Sequence, residues 1–443
     1  MRAASWAWAA VVLGVASGPT RAWGQTAPSE PGSPPVEPAA AAAALPNPAL
    51  PNPAQRDSPS RDSAPPATAP TAVALPRPAP DPAASPTPAP ADGHKAPPPA
   101  LTVRGGLGKG VIFASEDERF TVNLRARMQL LGYALVEPDA DESPVLRAMV
   151  RRARLVLQGN AWGPTLKYYL QLGFSNLDQE PDERMPLRDA TLIWTPHRDA
   201  SLRIGQMKVP FGKQRVTSSS ALELVDRSIV IPELSLDRDV GVFAFSKDLF
   251  GLGSRLGYAI GVFGGDGRNR IGTAPGVLSV ARLELRPFGN VDEELEGDLE
   301  RSPRPRLQLG AAAAYNDNTN RPRSVIGAPY EGARFSYHHL EVDVLFKWSG
   351  LSVLAELYYR GADAAERTTT VDGAPLTEYA RPGWGAFGQV SYMVVPGLLF
   401  AGRYSRIVPR GSADPTFALQ NEAGGGASYF FEGHNLKVQG DYF

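Results

Sequence analysis

Thr121-Val122-Asn123-Leu124-Arg125-Ala126-Arg127-Met128-Gln129 alternates between apolar and polar residues without a break. Successive side chains of a β-strand point to opposite faces, so the apolar residues share one face, and Arg125 and Arg127 share the other. Segments of about ten residues with this alternation, a length suited to a membrane-spanning strand, recur to the end of the chain. Arg152 and Arg154 take the polar positions of the next segment. The pattern predicts an all-β protein, a transmembrane antiparallel β-barrel.

The alternative is a soluble β-sandwich, whose strands also alternate. An arginine that faces lipid near the bilayer midplane costs about 2–4 kcal/mol, so in a membrane these arginines must face a water-filled lumen. A sandwich would have to place them on an exposed face in most of its strands. The pattern therefore favours the barrel.

We predict fifteen strands, separated by connections that alternate in length. They are 120–134, 147–161, 165–176, 187–196, 201–210, 238–247, 254–264, 277–287, 305–315, 335–348, 351–361, 383–394, 398–407, 419–431 and 434–443. Tight turns such as 349–350 and 395–397 contrast with the long connections 135–146, 211–237, 316–334 and 362–382. Bacterial barrels have short periplasmic turns and long outer loops, so the first strand should run outward. The connection 288–304 breaks this pattern because it is long, acidic and periplasmic, and we expect a solvated acidic turn there.

The region before the strands predicts export and then a spacer. Residues 1–24 have the features of a signal peptide, and export of a barrel indicates the outer membrane of a Gram-negative cell. Residues 25–100 hold 23 of the 43 prolines and no Phe, Trp or Tyr, so they cannot form a core. We expect 25–105 to be a disordered Pro/Ala-rich periplasmic tether, either a plain spacer or a contact to peptidoglycan, followed by the barrel domain 106–443.

Composition excludes several other classes of function. The chain has no cysteine, which removes thiol catalysis, disulfides and Cys-based metal sites. Its 5 histidines are scattered, and its net charge of −1 does not indicate a nucleic-acid partner. We therefore expect no cofactor, no metal site and no nucleic acid.

From Gly110 onward the chain resembles the phosphate-selective porin O and P family. The segments that carry the resemblance are 151–155 (RRARL), 187–190 (LRDA), 202–212 (LRIGQMKVPFG), 237–242 (DRDVGV), 261–267 (GVFGGDG) and 433–437 (GHNLK). The resemblance implies a sixteen-stranded, homotrimeric outer-membrane porin whose third loop folds into the channel. It also implies ion transport, with phosphate as a candidate solute.

Segment 211–237 suits the role of that third loop. It follows the fifth strand, is the longest outer connection, and joins cationic residues to apolar ones that could pack inside the lumen. The candidate residues for a constriction that binds anions are Lys208, Lys213, Arg215, Arg227 and Arg238. The alternative for Lys213 and Arg215 is that they pair with Glu223, Glu233 or Asp237 and only hold the loop down.

The barrel wall supplies further inward-facing charges. The basic candidates are Arg125, Arg127, Arg152, Arg154, Lys167, Arg282, Arg286 and Arg403. Glu341 and Asp343 have inward positions on the tenth strand, and Glu284 lies between Arg282 and Arg286. Positive charge along a narrow wet path favours a channel for small anionic solutes, whereas facing basic and acidic walls would give a general, non-selective porin.

Two other classes of function remain as alternatives. One is an envelope-anchoring barrel with little transport. The other is an enzyme barrel, for which Ser336 and His338 share a strand face but have no identifiable third partner. We expect no catalytic residue.

The last strand raises a question of closure. If successive strands run alternately outward and inward from the first, the fifteenth strand, 434–443, runs outward. A bacterial barrel should instead end in the periplasm. Either Gly110 to Ser115 closes the barrel against 434–443, or the chain lacks the last strand of the family.

Overall fold

The structure is a computed structural model that describes residues 6–10, 101–106, 108–135, 145–180, 185–270, 276–292 and 294–443. Most of the predicted signal peptide, the predicted tether up to residue 100, and 136–144 of the first outer loop lie outside the described residues. The predicted boundary between tether and barrel at residue 105 falls inside a strand that begins at Thr102.

The described residues are almost entirely β-structure. The strands are β1 (Trp6–Ala10), β2 (Thr102–Gly106), β3 (Gly110–Ala114), β4 (Thr121–Leu135), β5 (Val145–Asn160), β6 (Leu166–Gly173), β7 (Leu187–His197), β8 (Ala200–Lys208), β9 (Arg238–Ser246), β10 (Leu256–Phe263), β11 (Leu278–Leu285), β12 (Arg306–Thr319), β13 (Phe335–Trp348), β14 (Leu351–Ala362), β15 (Glu366–Val371), β16 (Ala374–Tyr379), β17 (Gly383–Val395), β18 (Leu398–Pro409), β19 (Gln420–Glu432) and β20 (Leu436–Tyr442). The helices are α1 (Lys213–Val216) and α2 (Val230–Leu234), with 3-10 turns at Asn176–Asp178 and Leu249–Gly251. Among these residues no helix combines the length and the apolar character that a membrane crossing requires.

All fifteen predicted strands are confirmed, with ends that differ by four residues or fewer. The prediction missed a small hairpin, β15 and β16, inside the connection 362–382. Its turn is Asp372-Gly373, and both residues have positive φ, 48° and 82°. An Asp-Gly pair in this conformation matches the natural twist of a two-residue hairpin, so the signal was present in the sequence.

Antiparallel pairing runs from each long strand to the next. The pairs continue without a break from β4 to β14, then from β14 to β17 and on to β20. Side-chain exposure alternates along the strands, as in β13, where Val342 is 50% exposed and its neighbours Glu341 and Asp343 are 1% and 5% exposed. The outer face is therefore apolar and the inner face polar, as in a transmembrane β-barrel.

Of the two alternatives for closure, the one in which Gly110 to Ser115 pairs with 434–443 is wrong. β3 pairs with the start of β4 and, on its other edge, with β2. β1 pairs with the edge of β20 that does not face β19. β1 also pairs with the outer half of β4. β20 and β4 both run outward, so a partner between them must run inward, and β1 has that direction. β1 lies within the predicted signal peptide 1–24, so the alternative that the exported chain lacks a last strand stays a prediction.

The prediction that 288–304 is a solvated turn is also wrong. Glu296 and Asp298 are 2% and 3% exposed. The Asp298 carboxylate accepts hydrogen bonds from the backbone N–H groups of Ser302 and Gly350, at 3.0 and 2.8 Å. Lys347 Nζ donates to the carbonyl oxygens of Asp292 and Leu295, at 2.7 and 2.8 Å. These contacts hold the connection against the inner wall because its charges find donors there.

The alternation of β13 leads to a test of membrane insertion. Replacing Val342 by arginine places a guanidinium on the lipid face, and the barrel should lose about 2–4 kcal/mol of unfolding free energy. Urea titration of the protein refolded into lipid vesicles measures this loss. Val342→Ala is the control and should cost far less. Equal stability of Val342→Arg and Val342→Ala would show that this face does not contact lipid.

Candidate functional site

Residues 209–237 connect β8 to β9 and contact inward-facing side chains around the barrel. Arg127 donates to Ser219 Oγ at 2.9 Å, and Ser228 Oγ donates to Ser405 Oγ at 2.9 Å. On another side, Lys437 Nζ donates to the carbonyl oxygen of Leu222 at 2.7 Å. These contacts come from β4, β18 and β20, so the segment crosses the lumen.

The entry to this segment depends on a glycine. A Cβ atom on Gly212 would lie 1.8 Å from the hydroxyl oxygen of Tyr358 on β14, far closer than real atoms approach. The backbone N–H of the next-but-one residue, Gln214, donates to the Glu356 carboxylate on the same strand. A side chain at position 212 would therefore push the loop away from the wall that holds it.

All five predicted constriction residues are buried, and the three arginines among them bind partners within the loop or the wall. Arg215 is 0% exposed and pairs with Asp237 at 2.9 Å. Arg227 donates to the carbonyl oxygens of Gln214 and Thr217, at 2.9 and 2.6 Å. Arg238 holds Asp189 through two bonds of 3.1 and 2.9 Å. These guanidinium groups therefore hold the loop in its conformation. For Arg215, the structure agrees with the alternative that this residue pairs with Asp237.

The same contacts perturb the ionisation of the loop residues. Burial lowers the pKa of Arg227 to about 10. Burial acts to raise the pKa of Asp237, but Arg215 and Arg238 overcome it, so the pKa lies below its ordinary value. The Asp237 carboxylate is therefore charged at neutral pH and keeps its guanidinium partners in place.

Lys208 and Lys213 are the predicted constriction residues that line a cavity. Lys208 Nζ also donates to the carbonyl oxygens of Arg215 and Thr217, at 2.7 and 3.2 Å, which orients the loop. The cavity has a volume of about 730 Å³ and is bounded by β3 to β11, by α1 and by Glu294 of the connection 288–304. Its wall includes Thr121, Asn160 and Thr195, which lie near short turns, so the cavity occupies the periplasmic end of the lumen.

The basic residues predicted on the wall of β4 and β5 face inward and bind polar partners. Arg125 donates to Gln158 at 2.7 Å, and Arg152 contacts both Gln129 and the loop residue Asp226. Arg154 donates through Nε to Asp178 at 3.0 Å. Together with the contact between Arg127 and Ser219, these bonds anchor the loop to this half of the barrel.

Arg282 and Arg286, on and just after β11, form part of a mixed cluster. The Arg282 guanidinium contacts three carboxylates, those of Glu284, Glu341 and Asp343, at 2.9, 2.9 and 2.6 Å. Arg286 contacts the other oxygen of Glu284. The side chains of Glu341 and Asp343 are 0% exposed, so the predicted acidic wall does not border the cavity directly.

Sequence reasoning missed a second group of buried arginines at the outer end of the lumen. Arg188 contacts Asp178, and Arg268 and Arg321 both contact Glu180, at 3.0 and 3.2 Å. Arg188 belongs to a segment that carries the family resemblance, which was the available signal. Arg268 and Arg321 lie in outer connections, to which the alternation rule for strands does not apply. The sequence therefore does not indicate whether their side chains face the lumen.

A pair of acidic residues links the loop to the inward-folded connection. The backbone N–H of Glu223 donates to Glu296 Oε2 at 3.0 Å, and Gln389 Nε2 donates to both carboxylates, at 2.7 and 3.1 Å. Burial and then the charge of Glu296 raise the pKa of Glu223 to about 7. Lys347 on β13 and the Ser391 hydroxyl on β17 act in the opposite direction. Proton binding at this pair therefore favours the docked loop.

The candidate enzyme residues do not form a hydrogen-bonded pair. Ser336 Oγ donates to Asp317 at 3.0 Å, and the His338 ring packs against Tyr359 with centroids 5.7 Å apart. Within the described ranges no group of three His, Cys, Asp or Glu residues is arranged to hold a metal ion. This pair of side chains gives no support for an enzyme.

The alternating strands and the polar inner face define the class as a transmembrane β-barrel. Residues 122–261 match the model of the family described as phosphate-selective porin O and P, and the predicted resemblance is confirmed. The match covers 140 of the 443 residues, and this part of the chain is similar to a family of outer-membrane porins. Curated protein sequences yield no significant match.

Several solved structures are similar in fold. The anion-selective porin from Comamonas acidovorans is 14% identical, with 70% of this chain and 84% of that chain covered and a TM-score of 0.46. OmpF of Salmonella typhi in complex with daunomycin is 12% identical, with 74% and 97% covered and a TM-score of 0.45. The channel DcaP of Acinetobacter baumannii is 14% identical, with 75% and 97% covered and a TM-score of 0.43. At these values the likeness carries no argument about the solute.

Glu223 provides a pH-dependent test of loop docking. Its ordinary pKa of 4.5 rises to about 7 in the folded protein, so the docked loop binds the proton more tightly than the undocked loop. The associated stability is complete below pH 4.5 and is lost as the pH rises through about 7. Limited proteolysis of detergent-purified protein should show the loop becoming more accessible from pH 5 to pH 8.

The variant Glu223→Gln separates this effect from general pH sensitivity. A neutral amide cannot ionise, so the variant should show little change in loop cleavage over the same range. Glu118→Gln, on an exposed turn that carries an ion pair with Arg104, is the matched control and should behave like the unmodified protein. If Glu223→Gln and the unmodified protein have the same pH profile, this carboxyl does not control docking.

Proposed function

We propose that this porin forms a water-filled channel through which small anionic solutes diffuse passively across the outer membrane. The observation that carries the proposal is the charge of the cavity at the periplasmic end of the lumen. Its cationic lining residues are Lys167, Arg203, Lys208, Lys213, Lys247 and Arg282. Its acidic lining residues are Asp189, Glu284 and Glu294. Cations therefore outnumber carboxylates where a solute would pass.

Two of the three carboxylates are already bound by guanidinium groups. Asp189 is held by Arg238, and Glu284 contacts both Arg282 and Arg286. A carboxylate in a two-bond contact with arginine presents little negative charge to the cavity. Arg282 is offset in the same way by Glu284, Glu341 and Asp343. The remaining excess comes from Lys167, Arg203, Lys208, Lys213 and Lys247. It would attract anions and repel cations, and low-dielectric walls strengthen such a field.

Phosphate is one candidate solute. Ammonium and guanidinium groups can replace water around a phosphate oxyanion, and the description of the matching family supports this candidate. A homotrimer, implied by the family resemblance, and contact of the 25–105 tether with peptidoglycan are further parts of the proposal. We propose transport without catalysis.

The second candidate is a general porin. The cluster around Arg282 holds more carboxylates than guanidinium groups, and Glu356 lies nearby on β14. If this acidic half of the wall acts on the solute, it would offset the basic half. An envelope-anchoring barrel is the third candidate, and it would show little conductance.

Reversal of one charge tests anion preference. Lys213→Glu changes a cavity-lining cation on α1 and should move the zero-current potential in a KCl gradient toward cation preference. The screening length at physiological salt is about 8 Å, so a charge at a narrow point acts on a passing ion while distant wall charges are screened. Planar-bilayer recordings measure the potential. Arg215 is unsuitable for reversal because its change would break the buried pair with Asp237.

Lys109→Glu is the matched control because Lys109 is exposed on the turn between β2 and β3 and does not line the cavity. It should leave the potential unchanged. An unmodified protein with no preference for chloride over potassium would favour the general porin, and absence of conductance would favour the anchoring barrel. An unchanged zero-current potential in an assembled Lys213→Glu barrel would show that the loop does not set the ion selectivity.

A further inference from the structure

The wall of the cavity contains a row in which cationic and apolar side chains alternate. Lys167 on β6 is directly opposite Ile193 on β7, Ile193 is opposite Arg203 on β8, and Arg203 is opposite Phe243 on β9. All four residues line the cavity. Neighbouring strands lie about 4.8 Å apart, so the two cationic residues, which are two strands apart, are separated by about 10 Å at the backbone.

Further apolar groups extend this row on both sides. Tyr169 and Phe245 line the cavity, and Val216 of α1 borders it from the loop. The rings of Phe243 and Phe245 are 5.5 Å apart, which makes one continuous apolar surface. Lumen walls of porins are usually polar, because they contact water. Ile193 lies between the two cations, while Phe243 and Phe245 lie beyond Arg203. Phe243 is 8% exposed and packs in the apolar cluster of the loop, so the apolar surface open to the cavity comes mainly from Ile193 and Phe245, which are partly exposed. This surface beside two cations needs an explanation beyond the passage of a fully hydrated ion.

We propose that this cavity binds small monoanions with an apolar body, of which an aryl carboxylate is the simplest example. The carboxylate would contact Lys167 and Arg203, and the body would cover Ile193, Phe243 and Phe245. The cavity of about 730 Å³ lies in the range of small-molecule sites. Inorganic phosphate would satisfy the cations but leave the apolar surface in water. This inference rests on the proposed anion channel and specifies its class of solute.

Block of conductance tests the inference with benzoate, acetate and inorganic phosphate as probes. Bilayers that contain the full-length porin are recorded in KCl while each probe is added at equal concentration. Benzoate and acetate have the same charge, so a difference between them reports the apolar body. We expect benzoate to reduce the chloride conductance at concentrations at least about tenfold below those of acetate or phosphate, a ratio that corresponds to about 1.4 kcal/mol.

Two variants separate the apolar contact from the charge. Phe245→Ser should raise the half-blocking benzoate concentration about tenfold, because aromatic burial is lost. Lys167→Gln should weaken block by both carboxylates and shift the zero-current potential in a KCl gradient toward cations. Phe174→Ser, on an exposed residue just after β6, is the matched control and should change neither quantity.

The outcomes distinguish this inference from the proposed function. Equal block by benzoate and acetate in a channel that prefers anions would overturn the inference and leave the anion channel intact. Stronger block by phosphate than by benzoate would also overturn it and would favour an oxyanion site. A channel without anion preference would overturn the proposed function itself.

Discussion

The structure depends on one constraint, which is that a strand in a bilayer has one face in lipid and one face in the lumen. Val342 and its neighbours Glu341 and Asp343 illustrate it within three residues. Polar and charged groups can occupy the inner face only if water or other polar groups surround them. The chain meets this requirement by folding two connections inward, the loop 209–237 from the outside and the segment 288–304 from the periplasmic side. Both bring hydrogen-bond partners to side chains that would otherwise need water.

The inward segments explain why so many arginines are structural. Arg154, Arg215, Arg227 and Arg238 each bind a carboxylate, a hydroxyl or a backbone carbonyl within the lumen. The guanidinium group suits this role because it presents several donors in a fixed plane. Within the described residues, the cavity beside β6 to β9 is open to solutes. Its lysines, Arg203 and aromatic groups form a surface of mixed character, which is the basis of our proposal of an anion with an apolar body.

Strand alternation allowed most of the fold to be predicted. Most long strands have a clear polar face, so their existence and their inward side follow from local order along the chain. β9 and β10 are exceptions, with apolar residues on both faces. No comparable local pattern predicts whether a connection between strands folds into the lumen or into solvent. The acidic segment 288–304 has the composition of a solvated turn, yet Glu296 and Asp298 are buried because Ser302, Gly350, Gln389 and the loop supply donors. These partners are up to about a hundred residues away, so no local pattern could indicate them.

By itself, the sequence determined the barrel class, the fifteen long strands, the inward direction of the wall arginines and the resemblance to the porin family. Each of these depends on spacing within a strand or on short local motifs. Only the tertiary structure decided which cations hold the loop and which border the cavity. Arg215 and Lys213 lie two residues apart on one short helix, but Asp237 captures the first, while the second lines the cavity. The physical reason is that pairing inside the lumen depends on strands brought together by the closing sheet and not on their order in the chain.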